Sequence, residues 1–369
     1  MKTADTALLN KLTLIILTFN QPFKLERAIE HWRDLPLTVH ILDGSDKPWF
    51  AVGPLPSARN ITYSHIPRES NETSLQNYMN RAKFIASLSI GKYAALIGDD
   101  DFFTTIGLVS AIRHLESHSE VDAVIGKCAR FDLSHTRVIW TRKYKNWSVN
   151  ENSKNNSLTK RLDNDRSLGT VYYGVLRSEK LKQIQLRANE IKFSNQKYNE
   201  IVTHVLGMGY CRVELLDTYL WLRNGEVGRS HDRDQGNFFG TTDEDERVTY
   251  VFEKAFEHID NSIAPEIIRE LAKNETTKLR NSLISSARKY QTPNTTSSKK
   301  KLELFVKKLI TELICKSPRF VNQVIMKTLN QKNKLKLQDA LPPDFEEKDY
   351  FERLLLRPRS ELRLFADVE

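Results

Sequence analysis

Tyr93 to Ile97 is a short apolar run that stops abruptly at Gly98, Asp99, Asp100, Asp101 and Phe102. The run reads as a buried strand, and the acidic triplet at its end is electrostatically costly. Adjacent like charges repel, so three successive aspartates at the end of a core strand need a cation, a set of donors or open water beside them. A divalent metal would supply the first. Side chains alternate along an extended chain, which places Asp99 and Asp101 on one side and Asp100 on the other. An acidic turn capping the next helix would account for one Asp. Three at the carboxyl end of a buried strand point instead to a ligand, because open α/β sheets bind ligands at that edge.

The segments around this tip alternate between two periodicities. Thr13 to Thr18 reads as a first strand, and Asn20 with Pro22 as a helix start, since Asn caps free amide donors and Pro suits the first turn. Leu25, Ala28, Ile29 and Trp32 then share one helical face, and Val39 to Leu42 is a second strand ended by Asp43, Gly44 and Ser45. The two tips, Thr18 to Asn20 and Asp43 to Ser45, are therefore expected side by side. Pro48 to Arg59 reads as a Pro-rich connection, and Ile61 to Ile66 as a third strand. A helix carrying Leu75, Tyr78, Met79, Ala82, Ile85 and Leu88 leads into the acidic strand. After it come a helix through Leu108, Ala111, Ile112 and Leu115 and a strand from Val121 to Gly126. This order predicts an α/β fold, a mostly parallel sheet with helices on both faces.

Lys143 to Arg166, rich in Asn, Lys and Ser, reads as a loop. Thr170 to Leu176 is extended in character, and Ser178 with Glu179 begins a helix. Tyr198, Ile201, Val202 and Val205 form a helical stripe with Glu200 and His204 opposite, ending at Gly207 and Gly209 as left-handed caps. Val213 to Leu222 is extended, and Arg223 to Gly240 is a loop around His231. The expected organisation is a catalytic domain over residues 1–245 and a mainly helical region over 246–369. Within the latter, Lys299 to Leu329 is basic and amphipathic, which suits an anionic membrane surface, or docking on the catalytic domain or a second subunit. Membrane binding and docking both stay open.

The 369-residue chain is long enough for a full core, and its net charge of +9 favours an anionic partner. Its 3 cysteines, Cys128, Cys211 and Cys315, show no metal or disulfide spacing, which fits a reducing cytoplasm. The apolar stretch at Leu12 to Leu17 is too short for a membrane span, so membrane contact is expected to be peripheral, on the inner face of the plasma membrane. Lys and Arg gather in the last third rather than along a groove interleaved with aromatics, which argues against nucleic acid as the partner.

Taken in order, the Thr18-Phe19-Asn20 tip, the Asp43-Gly44-Ser45 tip, the helix with Asn77, Asn80 and Arg81, the Asp triplet, and the later helix before Gly209 resemble the family-2-like glycosyltransferases with the GT-A fold, of the bacterial surface-polysaccharide type. The resemblance spans roughly Leu12 to His231. It implies that Thr18, Asn20, Arg81 and Asp100 line the donor nucleotide site and that Asp43 hydrogen-bonds the base, usually uracil. Asp99 and Asp101 match the family's Asp-x-Asp motif, contacting ribose or sugar and holding Mg²⁺ or Mn²⁺ on the diphosphate. His231 matches a position where some relatives supply another metal ligand. Glu200 falls where the family places its general base, although the usual Glu-Asp pair reads Asn199-Glu200 here; Glu190 is the reserve. The implied reaction moves a sugar from a nucleoside-diphosphate sugar, a UDP-sugar by this resemblance, to a hydroxyl of a glycan or lipid-linked acceptor, with inversion.

Hard oxygen ligands suit Mg²⁺ or Mn²⁺, and a carboxylate across the cleft could deprotonate an acceptor hydroxyl. The alternatives are a sugar-phosphate nucleotidyltransferase and a catalytically silent scaffold of the same fold. The first generally shows a Gly-rich phosphate loop after the first strand, and Thr18 to Phe23 has no glycine. Oligomeric state stays open, with a homo-oligomer among the possibilities.

Overall fold

Strand β1, Leu12–Thr18, follows a short opening helix, α1 (Thr3–Leu9); it is buried along its whole length and has a parallel neighbour on each side. The computed structural model describes residues 3–49, 53–55, 58–69, 74–134, 137–143, 171–190, 196–225, 242–259, 263–291 and 345–358. On one side of β1 lies β2 (Thr38–Asp43), paired from Thr13 with Thr38 to Thr18 with Asp43. On the other lies β5 (Tyr93–Gly98), paired from Leu12 with Tyr93 to Leu17 with Gly98. Parallel neighbours need crossover connections, and helices α2 (Pro22–Trp32) and α3 (Ser74–Ser87) are parts of them.

Beyond β2, strand β4 (Ala58–His65) continues the parallel order, and the short β3 (Gly53–Leu55) closes that edge antiparallel. Beyond β5, the sheet turns mixed. β9 (Val175–Arg177) runs antiparallel between β5 and β7 (Ala123–Ser134), while β7 and β10 (Val213–Asn224) are parallel. Two-residue β6 (Phe102–Phe103) pairs antiparallel with β10, and β8 (Arg137–Lys143) folds back on β7. Among the described residues the result is a ten-stranded mixed sheet whose longest ladders, apart from the β7–β8 hairpin, are parallel.

Alternation along β1 shows why both faces are covered. Leu14 and Ile16 pack on one side with Leu25, Ile29 and Trp32 of α2 and Leu108 and Ile112 of α4 (Thr105–Ser117). Ile15 and Leu17 pack on the other with Tyr78, Met79 and Ile85 of α3, Leu181 and Ile184 of α5 (Ser178–Ala188), and Val202 and Leu206 of α6 (Gln196–Tyr210). Helices α7 (Thr242–Ile259) and α8 (Pro265–Gln291) add Val248, Phe252, Phe256 and Ala272 to this second core. Among the described residues no helix is long and apolar enough to cross a membrane.

Several local expectations change. Asn20 is not the N-cap of α2; that position is Gln21, and Asn20 takes φ 53°, a left-handed conformation that Asn tolerates better than most residues. Helix α6 does not end at its glycines but runs to Tyr210; Gly207 instead allows close packing, since a Cβ there would lie 2.8 Å from Val171 Cγ1. Residues Val171–Tyr173 form a 3₁₀ turn rather than strand, and β7 is twice the expected length, long enough to carry β8. The basic segment 299–329 lies outside the described residues, as do nearly all of the two loops around 150 and 231.

The last described helix, α9 (Lys348–Leu356), has no counterpart among the individual elements expected from sequence, and it braces the acidic strand from behind. Phe351 packs against Phe102, and the Glu347 carboxylate accepts from the free amides of Thr105 (3.1 Å) and Ile106 (3.0 Å) at the start of α4. Buried His31 on α2 has Nε2 3.3 Å from Phe103 O and Nδ1 2.9 Å from Tyr350 Oη. A carbonyl only accepts, so Nε2 carries the proton and Nδ1 accepts from the Tyr350 hydroxyl. Burial keeps this ring neutral, pushing its pKa down to about 3. Tyr350→Phe removes the donor to Nδ1 and is expected to lower unfolding free energy by about 1 kcal/mol in urea denaturation; an unchanged midpoint would show that the contact contributes nothing.

Candidate functional site at the strand tips

Register alone brings three of the sequence-selected residues together. Thr18 is directly opposite Asp43, and Leu17 is opposite Gly98, so Asp99 emerges beside Thr18. The Thr18 hydroxyl donates to Asp99 Oδ2, and Gly44 N donates to Thr18 O at 3.0 Å. Asn20 N donates to Ser45 Oγ at 2.7 Å, and Asn20 Nδ2 to Asp46 at 3.1 Å. The two tips are thus stitched to each other as well as paired.

Asp43 is 1% exposed and pinned on both oxygens. Oδ1 accepts from Ser45 N (2.8 Å) and from the Ser45 hydroxyl; Oδ2 accepts from Tyr63 Oη at 2.6 Å. Tyr63 Oη in turn accepts from Trp49 N at 2.8 Å. An ionised carboxylate offers about four acceptor sites, so this network fixes the group without exhausting it.

Arg81 lies beneath the tips. The residue is 4% exposed, and its guanidinium donates through Nη1 to Thr18 O (2.6 Å) and Leu42 O (3.4 Å). Burial lowers its pKa, opposed by Tyr78, Asp43, Tyr172 and Asp99. Its observed contacts are with the strand ends, so the structure makes it a brace for the tips. Gly44 permits that brace: a Cβ there would collide with Asn77 Oδ1 and lie 2.8 Å from Arg81 Nε.

The three aspartates do not follow strand alternation, because β5 ends at Gly98 and Asp99 and Asp100 form a turn. They point to three different partners. Asp99 faces Thr18; Asp100, half-buried, pairs with Lys24 Nζ at 3.1 Å; Asp101 accepts from Trp221 Nε1 at 2.9 Å and Asn224 N at 2.7 Å. Burial first and the Asp100 charge second push the pKa of Asp99 up to about 7 and that of Asp101 up to about 8. Thr18, Lys24 and Arg81 pull against this at Asp99, as do Asn224, Arg223 and Trp221 at Asp101.

These donors fit a hard divalent cation. Among the described residues no three His, Cys, Asp or Glu side chains converge as a ready-made cage. Mg²⁺, however, is commonly held by one or two carboxylates with the remaining places taken by substrate phosphates and water. Two buried carboxylates whose negative charge is poorly compensated, at the rim where such a substrate would sit, match that pattern. Asp99 and Asp101 are the residues that would hold it.

The other candidates are less determined. Glu200 belongs to α6, but its side chain lies outside the described residues, as does His231 altogether. His204, one turn further along α6, accepts through Nδ1 from Val171 N at 3.0 Å. Glu190 pairs with Arg187 at 2.7 Å and lines an open groove of about 860 Å³ with Lys83, Lys182 and Leu186, not the strand tips. Three residues of the site, Lys24, Tyr63 and Trp221, are not among the candidates that sequence reasoning selects. Lys24 has a positional signal, the first turn of the helix after the first strand; Trp221 has none.

A raised carboxylate pKa contributes stability that is complete below the ordinary value of 3.8 and is lost as pH rises through 7 to 8. Without divalent cation, unfolding free energy is therefore expected to decline from about pH 4 and to level off above pH 7 to 8, and Asp99→Asn, which the Thr18 hydroxyl can accommodate by turning donor to acceptor, is expected to flatten the decline. Urea denaturation across that range checks this; an identical slope in the variant would contradict it.

No family model matches the chain, and no curated protein matches it. Among solved structures it is similar to S. aureus TarS 1-349 in complex with UDP-GlcNAc, with a TM-score of 0.43 and 12% identity over 89% of this chain and 88% of that one. It is also similar to S. aureus TarS 1-349 (TM-score 0.38) and to TarS 1-349 in complex with UDP (TM-score 0.35), each at 12% identity over 76% of this chain and 92% of the other.

Proposed function

We propose that this rim binds the diphosphate of a nucleotide sugar through a divalent cation and that the chain transfers the sugar to a hydroxyl of a glycan or lipid-linked acceptor with inversion. The observation that carries this reading is the meeting of Thr18, Asp43 and Asp99 at the carboxyl ends of three adjacent parallel strands, with Asp101 at the end of the same turn. That edge is where open parallel sheets place ligands.

Each residue then has a separable role. Asp43, held rigid by Ser45 and Tyr63, is an acceptor suited to a base that presents a ring N–H, as uracil does; a UDP-sugar is the proposed donor. Asn20 and Ser45, hydrogen-bonded to each other, lie on the same rim. Asp99 and Asp101 would hold Mg²⁺ or Mn²⁺, which when bound stabilises charge developing on the leaving diphosphate. Lys24, at the start of α2 beside Asp100, adds a second positive charge near that position. Glu200 is the proposed base for the acceptor hydroxyl, with residues 1–245 supplying the donor and catalytic site.

A thermal-shift panel of nucleoside diphosphates and their sugars tests donor, base and cation together. UDP with Mn²⁺ is expected to stabilise the protein, by about 2.7 kcal/mol at a hundred times its Kd, and UDP without the ion to do far less. No response to any nucleotide with Mn²⁺ would overturn the reading, and pyrophosphate rather than UDP as product would replace it with nucleotidyl transfer. Glu200→Gln is expected to slow turnover about 10²- to 10⁴-fold while leaving the UDP–Mn²⁺ shift intact; full turnover would remove Glu200 as the base.

A further inference from the structure

Trp221 lies in β10, remote in sequence from the acidic turn, and is 2% exposed. A buried tryptophan often only fills volume, and its indole N–H then takes whatever acceptor is near. Here the acceptor is Asp101 Oδ2, and the other oxygen of the same carboxylate takes the backbone N–H of Asn224, three residues along the same strand. One strand therefore fixes both oxygens of one acidic side chain.

Three features show how the indole is aimed. The register of β10 against β7 shifts between Tyr219 and Trp221, and such irregularities re-aim side chains. Trp221 is paired with Phe103 across β6, so its backbone is tied to the chain just two residues beyond Asp101. The indole is also stacked on Tyr173, with ring centroids 3.8 Å apart and planes at 10°. Tyr173 ends the 3₁₀ turn whose first amide is bound by His204 of α6.

The chemistry of the two donors matters as much as their geometry. An indole N–H and an amide N–H orient a carboxylate without neutralising it, leaving about two of its four acceptor sites for another partner. A lysine or arginine hydrogen-bonded in the same place would have satisfied the charge; Arg223 acts on Asp101 through its charge rather than through a hydrogen bond, and the pKa of the carboxyl stays raised to about 8. We propose that Trp221 is a positioning residue: its N–H, held by the Tyr173 stack, sets the Asp101 carboxylate in the orientation that receives a divalent cation. This rests on the metal-dependent reading above and adds to it a residue that touches neither donor nor metal.

The test is titration calorimetry of Mn²⁺ into the full chain saturated with UDP, with UDP binding in chelator as the control. Trp221→Phe keeps an aromatic ring against Tyr173 and removes the N–H. Benzothienylalanine incorporated at position 221 removes the N–H while preserving the shape of the ring system, and decides the matter if the phenylalanine variant does not fold. Either substitution is expected to weaken Mn²⁺ binding about 10- to 100-fold, as removal of a partner behind a metal ligand commonly does, with UDP affinity in chelator unchanged. Unaltered Mn²⁺ affinity in the folded variant would overturn the positioning role. Failure of the unsubstituted protein to bind Mn²⁺ with UDP would instead overturn the metal-dependent reading itself.

Discussion

Three consecutive aspartates at the end of a strand buried up to its last residue set the terms for everything around them. Two unit charges about 4 Å apart interact by about 4 kcal/mol at the effective dielectric of a protein near its surface, so the turn cannot hold three ionised groups without help. The fold distributes that help unequally. Asp100 receives a lysine, whereas Asp99 receives a hydroxyl and the more distant field of Arg81 and Lys24. Asp101 receives an indole, an amide and the field of Arg223. The two outer carboxylates are thus well oriented but only partly compensated, a state suited to taking up a cation together with an anionic ligand.

Much of the surrounding architecture serves to keep that turn in place. Parallel pairing of β1 with β2 and β5 lines up the tips, and Arg81 ties the ends of β1 and β2 from below at the one point where Gly44 leaves room. On the opposite side of the sheet, α9 returns from far along the chain to cap α4 and to hold Phe102 and His31. The site is therefore supported by pieces of the chain that come from both ends of the sequence.

The first half of this is legible in the sequence because its signals there are local. Short apolar runs ending in polar tips, alternating with helical stripes, are enough to predict β1, β2, β4, β5 and the helices between them, and hence the meeting of Thr18 with Asp43. The elements that escape such reading are either too short or too dependent on tertiary context. Strand β3 has three residues, β8 is charged at both ends, and α9 owes its place to partners more than two hundred residues away. Alternation cannot orient the aspartates once the strand has ended at Gly98, and nothing in the local pattern of β10 distinguishes Trp221 from an ordinary core tryptophan. Arg81 is readable as part of the site but not as a buried brace, since that depends on the space above Gly44.

The proposed site joins a cation and a diphosphate at the rim formed by Thr18, Asp43, Asp99 and Asp101. Anomalous diffraction at the manganese edge from crystals of the full chain grown with UDP and Mn²⁺ tests it most directly. The expected result is a manganese peak within bonding distance of Asp99 or Asp101 and of the diphosphate, with the uracil against Asp43. Nucleotide seated elsewhere, for example in the groove beside Lys83, Lys182 and Arg187, or a manganese site without these aspartates, would contradict it.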